Sequence, residues 1–503
     1  MAVDADDEDA RTMERMASNN PAMTVPASQK MQVVSRPDLS NLRSRSSTAH
    51  PHSAKHMRRS DPSGGEDAES ITPSSILKSS TSSPGGVSAD NMRPPSKYDV
   101  GWRRVVRNLS PSWFSVTMGT GVCSLLLIAI PFPARWLYWL SVIFFILNTC
   151  LFTLLLSASI LRYTLYPAIW SVMIADPNNS LFLGTIPMGF ATLVESWIFL
   201  CCPYWGYWSV WVAWVAWMVD SVVAIAVTVS LPFLLMSQRD AQGLERITAA
   251  QLLPIASTIV ASGAGSEIAA LLDSPDHALG TLITSYVMWG MVLYANGTTK
   301  PATPLAITVL VMYYQRLALH KLPPREVVVS SFLPLGPLGM GGYTIMYLGK
   351  VSRLVFPRVH LFQDNLGPLA GDVVYVLGFF VALIMWGFGL CWLVFALATI
   401  YSTRPFPFNM GWWGFTFPLG VYALSTMTFG VEMPSMFFKV LGTIFGVAVI
   451  LLWCVVAAGT ARGAWGGELF YAPCLRNLPN KRDGGDEREK GEAMVDKEKS
   501  PGN

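Results

Sequence analysis

The chain has 503 residues, of which 51% are hydrophobic and only 14% charged, with a formal net charge of +3. Soluble proteins carry about 25% charged residues, so the composition sets aside an ordinary soluble domain. The net charge says nothing for nucleic acid, and no basic motif of that kind occurs. Most of the charge lies before Arg107, after Arg462 or in short loops. The long apolar runs between these limits read as a polytopic, all-α membrane protein.

Residues 1–98 are rich in Ser, Pro, Asp and Arg and nearly without aromatic residues. They cannot bury a core and are expected to form a disordered cytosolic tail. RSRSS at 43–47 and RRS at 58–60 read either as basic-directed phosphorylation sites or as plain solvated tail. No cleavable signal sequence is expected, and the first span itself directs insertion.

Ten spans are predicted, at 112–130, 136–160, 181–201, 206–236, 249–272, 278–318 (interrupted), 326–349, 370–401, 411–432 and 436–460. The odd-numbered spans share one grammar of proline with small residues: SPSWFSVTMGTGVCS at 110–124, GTIPMGFATL at 184–193, LLPIASTIVASGAG at 252–265, FLPLGPLGMGGY at 332–343 and GWWGFTFPLGVYALS at 411–425. Even-numbered spans are plainer and more aliphatic or aromatic. The alternation predicts five hairpins, each with an inner and an outer helix, as one part used five times. Breaks in a bilayer helix survive where the freed backbone is buried in protein or lines a cavity. The inner helices are therefore expected to face the inside of a bundle.

Lys/Arg bias sets the orientation. With the N-terminus inside, the inner side collects Lys97, Arg103, Arg104, Arg107, Arg162, Arg239, Arg246, Arg316, Lys321, Arg325, Arg404 and Arg462. The outer side keeps Arg135, Lys350, Arg353, Arg358 and Lys439, read as loop residues or helix ends. Both termini are thus predicted to be cytosolic, and the sequons at Asn108 and Asn178 unmodified.

Within the sixth span, residues 278–293 and 304–318 are apolar but short, with polar YANGTTKPAT at 294–303 between them. One continuous helix would be about 60 Å long, too long for one crossing. Two short crossings would make eleven spans and invert every later one. In the fourth span Trp205, Trp208, Trp211, Trp214 and Trp217 recur every three residues. On a 3.6-residue helix they spiral and do not form one face. The outer rings suit an aromatic belt, the deeper ones lipid or a subunit interface. After residue 475 the chain becomes a charged, disordered tail.

Candidate chemistry is sparse. The seven cysteines show no disulfide or metal spacing, so no metal and no cofactor are expected. Glu195, Asp220 and Glu267 lie inside spans, where ionisable groups are costly. Three histidines are in the N-terminal tail, and His277, His320 and His360 sit at helix ends or in loops. No catalytic site is expected. A membrane-embedded enzyme would need a buried nucleophile with its base, and these acids have no evident histidine partner. A scaffold without transport would leave the five-fold pattern unexplained.

For anion passage the inner helices offer something else. Breaks at Pro187, Pro254, Pro334, Pro337 and Pro418 are expected to expose backbone donors and half-helix ends near mid-membrane, where helix N-termini attract anions. Thr120, Ser124, Thr185, Ser257 and Ser262 can donate hydrogen bonds nearby. Gly119, Gly121, Gly189, Gly336, Gly339 and Gly420 complete the candidate pore-lining, anion-binding set. The alternative is that Pro and Gly only permit close packing and gentle kinks.

MGTG, GTIPMG, the LPLGP run and WWGFTFPLG together resemble the tellurite-resistance/dicarboxylate transporter family, and within it the fungal sulfite efflux pumps. The plant slow anion channel belongs to the same family. The likeness covers roughly residues 101 to 475. It implies ten helices in five hairpins around a central pore, and a homotrimer. It further implies plugging by a phenylalanine just before the ninth-span proline, which is Phe417 here, or Phe415 in the neighbouring register. A packed core phenylalanine is the other reading of that position. The implied activity is export of sulfite or bisulfite, a small inorganic anion, through a plasma membrane. A dicarboxylate carrier for malate is the runner-up. It would favour basic residues deep in the pore, and the inner spans with these boundaries show none.

Overall fold

The computed structural model describes residues 101–237, 247–293, 305–320, 323–361, 367–467, 469–470 and 475. The expectations for the two tails and for the decapeptide at 294–303 lie outside the described residues.

Hydrocarbon offers no water to unpaired backbone groups, so apolar spans satisfy them within helices or closed barrels. All regular structure among the described residues is helical. The long helices are α1 (Ser115–Ala129), α2 (Arg135–Leu165), α3 (Thr185–Leu200), α4 (Tyr207–Ser237), α5 (Leu252–Ala269), α6 (Pro275–Leu293), α7 (Leu305–His320), α8 (Leu335–Arg358), α9 (Ala370–Thr403), α10 (Trp413–Glu432) and α11 (Met436–Trp465). Seven helical segments, those containing α1, α2, α3, α4, α5, α9 and α11, are long and apolar enough to cross a membrane.

Burial separates two classes. α5 is buried along its whole span and α1 and α3 over most of theirs, whereas less than a third of α2, α4, α9 and α11 is buried. α8 and α10 are mostly buried as well. These five buried helices close a ring: α1 packs on α3 and α10, α3 on α5, α5 on α8, and α8 on α10. α2, α4, α6, α9 and α11 pack on the outside of that ring.

The ring helices run parallel. At one end Thr185 Oγ1 donates to the Pro111 carbonyl at 3.1 Å, and Asn409 Nδ2 donates to the Glu326 carbonyl at 2.8 Å. At the other end Arg358 Nη2 donates to the Asp273 carbonyl at 2.6 Å, and Lys350 Nζ lies 2.9 Å from Glu432 Oε1. The five-fold sequence grammar also has a structural counterpart. Each ring helix is preceded by a short 3₁₀ turn: Pro111–Phe114, Leu181–Gly184, Ala249–Gln251, Val328–Phe332 and Met410–Trp412.

Two expectations change. The prolines do not break the helices near mid-membrane. Pro187 and Pro254 stand third in α3 and α5, Pro334 caps α8, and Pro337 stands third in it. In the first turn the missing N–H has no partner to lose, so proline starts a helix there at no cost in hydrogen bonds. Pro418 alone of these lies in a helix interior, six residues into α10. Its missing N–H deprives the Gly414 carbonyl of its i→i−4 donor. The seventh span, read as ending at 349, continues to Arg358. Lys350, Arg353 and Arg358 are therefore helical, and Lys350 is carried by a ring helix. A charged residue ends a hydrophobic run without ending the helix.

Trp208 to Trp217 spiral along α4 as the spacing predicts, but Trp205 ends a separate short helix, Cys202–Trp205, before it. Trp217 is buried and donates to the Ala261 carbonyl of α5 at 2.8 Å, while Trp205, Trp208 and Trp211 are exposed.

Candidate functional site

The ring encloses an axis, and helix geometry decides which residues face it. On α10, Thr416 and Gly420 touch α1, whereas Pro418 and Tyr422 lie against Gly336 and Gly339 of α8. Met427 and Gly430 pack on α11. At 100° per residue, Phe417 falls between the α1 and α8 faces, on the side away from α11. It is 3% exposed and shares a buried cluster with Met118, Met188 and Met340. Phe415 points elsewhere: its ring lies 5.0 Å from Phe332 and 5.6 Å from Trp412, in a separate cluster against α9.

On α5, Gly263 faces both ring neighbours. A Cβ built on it would lie 3.4 Å from Glu195 Oε1 of α3 and 3.1 Å from Thr344 Oγ1 of α8. One turn later Glu267 Oε1 accepts from Tyr343 Oη of α8 at 2.6 Å. Glu195 and Glu267 are each 2% exposed. Glu195 Oε1, Glu267 Oε2 and Thr344 Oγ1 have no hydrogen-bond partner among the described residues. Asp220, also buried, stands on outer helix α4 with both carboxyl oxygens unpartnered in the same sense. Unpaired buried carboxyls are costly, and in membrane proteins they mark bundle interiors and pathways more often than lipid faces.

Most of the remaining candidates lie on packing seams. A Cβ on Gly339 would lie 2.7 Å from the Tyr422 backbone, one on Gly420 2.8 Å from Val122, and one on Gly119 2.7 Å from Trp413. Gly121 meets Thr192, and Gly189 meets Thr117. Small residues here let backbones approach. Gly336 is roomier, with Pro418 Cβ at 4.0 Å.

The hydroxyls are already engaged. Ser124 bonds the Ser141 hydroxyl and carbonyl of α2 at 3.0 Å, and Ser262 donates to the Ser285 carbonyl of α6 at 2.6 Å. Ser257 donates to the Pro254 carbonyl at 2.6 Å and meets Thr228 of α4 at 3.2 Å. Thr120 bonds the Val116 carbonyl and accepts from Trp453 Nε1 of α11 at 3.1 Å. Thr185 bonds the Pro111 and Phe182 carbonyls. These side chains thus bond helix backbone or outer helices. For Thr120, Thr185 and Ser257 the competing acceptor is the carbonyl three or four residues back.

Sequence reasoning missed Tyr343, Tyr347 and Lys350. They keep an i, i+4, i+7 spacing on α8, which marks one helical face. It also missed Glu432, whose Oε2 accepts from Tyr375 Oη at 2.6 Å while its Oε1 pairs with Lys350. On the five ring helices the cations are Lys350, Arg353 and Arg358, all on α8. Among the described residues no group of three or more His, Cys, Asp or Glu could hold a metal ion.

A closed ring of parallel, buried helices wrapped by apolar outer helices is the build of a multi-pass membrane channel or carrier. The chain belongs to the voltage-dependent anion channel family, whose model matches residues 108–461. It is 47% identical over 365 residues to a sulfite efflux pump of Arthroderma benhamiae, covering 73% of this chain and 93% of the relative. It is 29% identical to a sulfite efflux pump of Candida albicans, over 69% of this chain and 72% of the relative. It is 24% identical to the malic acid transport protein of Schizosaccharomyces pombe, over 73% and 81% of the two chains.

Proposed function

We propose that this chain exports sulfite or bisulfite across the plasma membrane, through the axis of its helix ring, and thereby confers sulfite resistance. What supports the reading is the closed ring of buried helices, in a chain 47% identical to a sulfite efflux pump. On this reading Phe417 is the gate, held beside the helix-interior Pro418. An aromatic ring across a narrow neutral passage can dewet and block it. Phe415 serves packing, and the seam glycines set how closely the ring helices approach.

The rest of the arrangement belongs to the same proposal. The ring domain spans residues 99–475 with ten crossings, α6 and α7 together making the sixth. Both termini are cytosolic. The protein works as a homotrimer in contact with lipid through its outer helices, and performs no bond-making chemistry. A strain lacking its sulfite exporter tests the substrate. Expression of this chain should restore growth on sulfite, and unchanged sulfite tolerance would reject the reading.

A malate carrier is the second reading. It is favoured by a cation on a ring helix, Lys350, and by the distant malic acid relative. Labelled malate uptake into proteoliposomes, competed by sulfite, separates the two: sulfite should enter and malate should not.

A further inference from the structure

Lys350 stands apart from the gate. It projects from α8 at the end of the ring formed by the C-termini of α5, α8 and α10, on the same face as Tyr343 and Tyr347. The two other cations of the ring helices are engaged elsewhere. Arg353 pairs with Asp372 at 2.7 Å and lies over the Tyr375 ring at 4.8 Å, and Arg358 is bonded to the Leu272 and Asp273 carbonyls. Lys350 is held across the ring seam by Glu432, the last residue of α10. Both side chains are partly exposed, Lys350 at 28% and Glu432 at 12%.

The carboxylate has two donors. Lys350 takes Oε1 and the Tyr375 hydroxyl takes Oε2. If Lys350 leaves, Glu432 keeps Tyr375 and is not stranded. An ammonium carries three donors, of which Glu432 occupies one. The pair is thus built so that its cation can change partners at modest cost.

We propose that Lys350 is an anion-capture station at this mouth of the ring, which Glu432 occupies until a small oxyanion displaces it. The inference rests on the proposed anion export and adds to it the place where the anion is held. Glu432 lies 15 residues beyond Phe417 on one helix, about 22 Å at 1.5 Å per residue. The station and the gate are therefore separate points on one path. A fixed cation at a mouth raises the local anion concentration. A carboxylate that competes for it keeps capture weak enough for release, which conduction requires.

The test is sulfite flux of the full chain in proteoliposomes, with sulfite varied on one side at a time. Lys350→Met should raise the half-saturating sulfite concentration by about tenfold, the worth of one charge-assisted hydrogen bond, at the mouth that carries it and not at the other. Glu432→Gln should lower it severalfold, because Lys350 then has no competing carboxylate. The exchange of the two, Lys350→Glu with Glu432→Lys, restores an ion pair but moves the cation to α10, and should stay impaired. If the exchange restores wild-type behaviour, or if both single variants change only the yield of folded protein, the pair is a structural clamp and the proposal fails. If wild-type protein moves no sulfite, the substrate reading fails instead. The same three variants are then read with chloride and nitrate, where an unchanged half-saturation in all of them overturns the station.

Discussion

The Tyr343 hydroxyl donates to Glu267 Oε1 at 2.6 Å, tying α8 to α5 one turn from the point where Glu195 and Thr344 converge on Gly263. The bond satisfies half of a buried carboxyl whose other oxygen is unpartnered among the described residues. Tyr343→Phe removes the donor and leaves Glu267 with neither oxygen served. Stranding a buried polar group costs about 1–3 kcal/mol. The variant should lose stability by that order, read as a lower midpoint for thermal aggregation in detergent. Glu267→Gln, which keeps an acceptor for Tyr343, should cost less. A Tyr343→Phe protein as stable as wild type would show that this bond contributes nothing to holding the ring.

Gly336 and Gly339, less than one turn apart on α8, should behave oppositely. A Cβ at Gly339 meets the Tyr422 backbone at 2.7 Å, and backbone cannot rotate away. Gly339→Ala should sharply reduce the monodisperse fraction on size-exclusion chromatography. Gly336 has only Pro418 Cβ at 4.0 Å, an ordinary contact, so Gly336→Ala should express near the wild-type level. Equal yields would mean that α8 and α10 can separate without penalty.

The same pair shows what the sequence could and could not say. Proline and small residues in every second span located the ring helices, because close helix packing in lipid demands small side chains. It did not locate the axis. α5 is buried on every side, so it has no polar stripe from which a facing direction could be read. The hydroxyl candidates Ser124 and Ser262 were drawn from the right helices, yet their partners are Ser141 and Ser285 on outer helices, which no sequence pattern in those helices announces. Pro187 and Pro254 were legible as prolines but not as helix starts, since an apolar run shows no N-cap polarity at the point where its 3₁₀ turn becomes α-helix. Lys350 was misplaced for a related reason: hydropathy falls at a charge, while the hydrogen-bonded helix runs on to Arg358.

Neutralising the buried acids separates transport from chemistry. Glu195→Gln, Asp220→Asn and Glu267→Gln together keep the shapes of the side chains and remove every one of these carboxyls as a base or nucleophile. Flux in proteoliposomes should persist within severalfold of wild type. Abolished flux in a folded triple variant would place one of these carboxyls in the transport step, and the three single variants would identify it.

The phenylalanines of α10 give the sharpest test of the gate. Phe417 and Phe415 stand two residues apart, about 200° around the helix, and are both nearly inaccessible, at 3% and 7% exposure. Burial therefore does not distinguish them, but their surroundings do. Phe415 is packed edge-on against Phe332 and Trp412, and truncating a core phenylalanine costs about 3–5 kcal/mol. Phe415→Ala should reduce expression and leave the flux per folded molecule unchanged. On the proposed reading Phe417 faces the axis, between the α1 and α8 faces of α10. Phe417→Ala should give well-expressed protein with raised basal sulfite flux, because the ring that excludes water from the axis is gone. Phe417→Leu, which still fills most of the space, should fall between. Poor expression of Phe417→Ala with no gain in flux per molecule would make Phe417 a core residue like Phe415 and remove the gate.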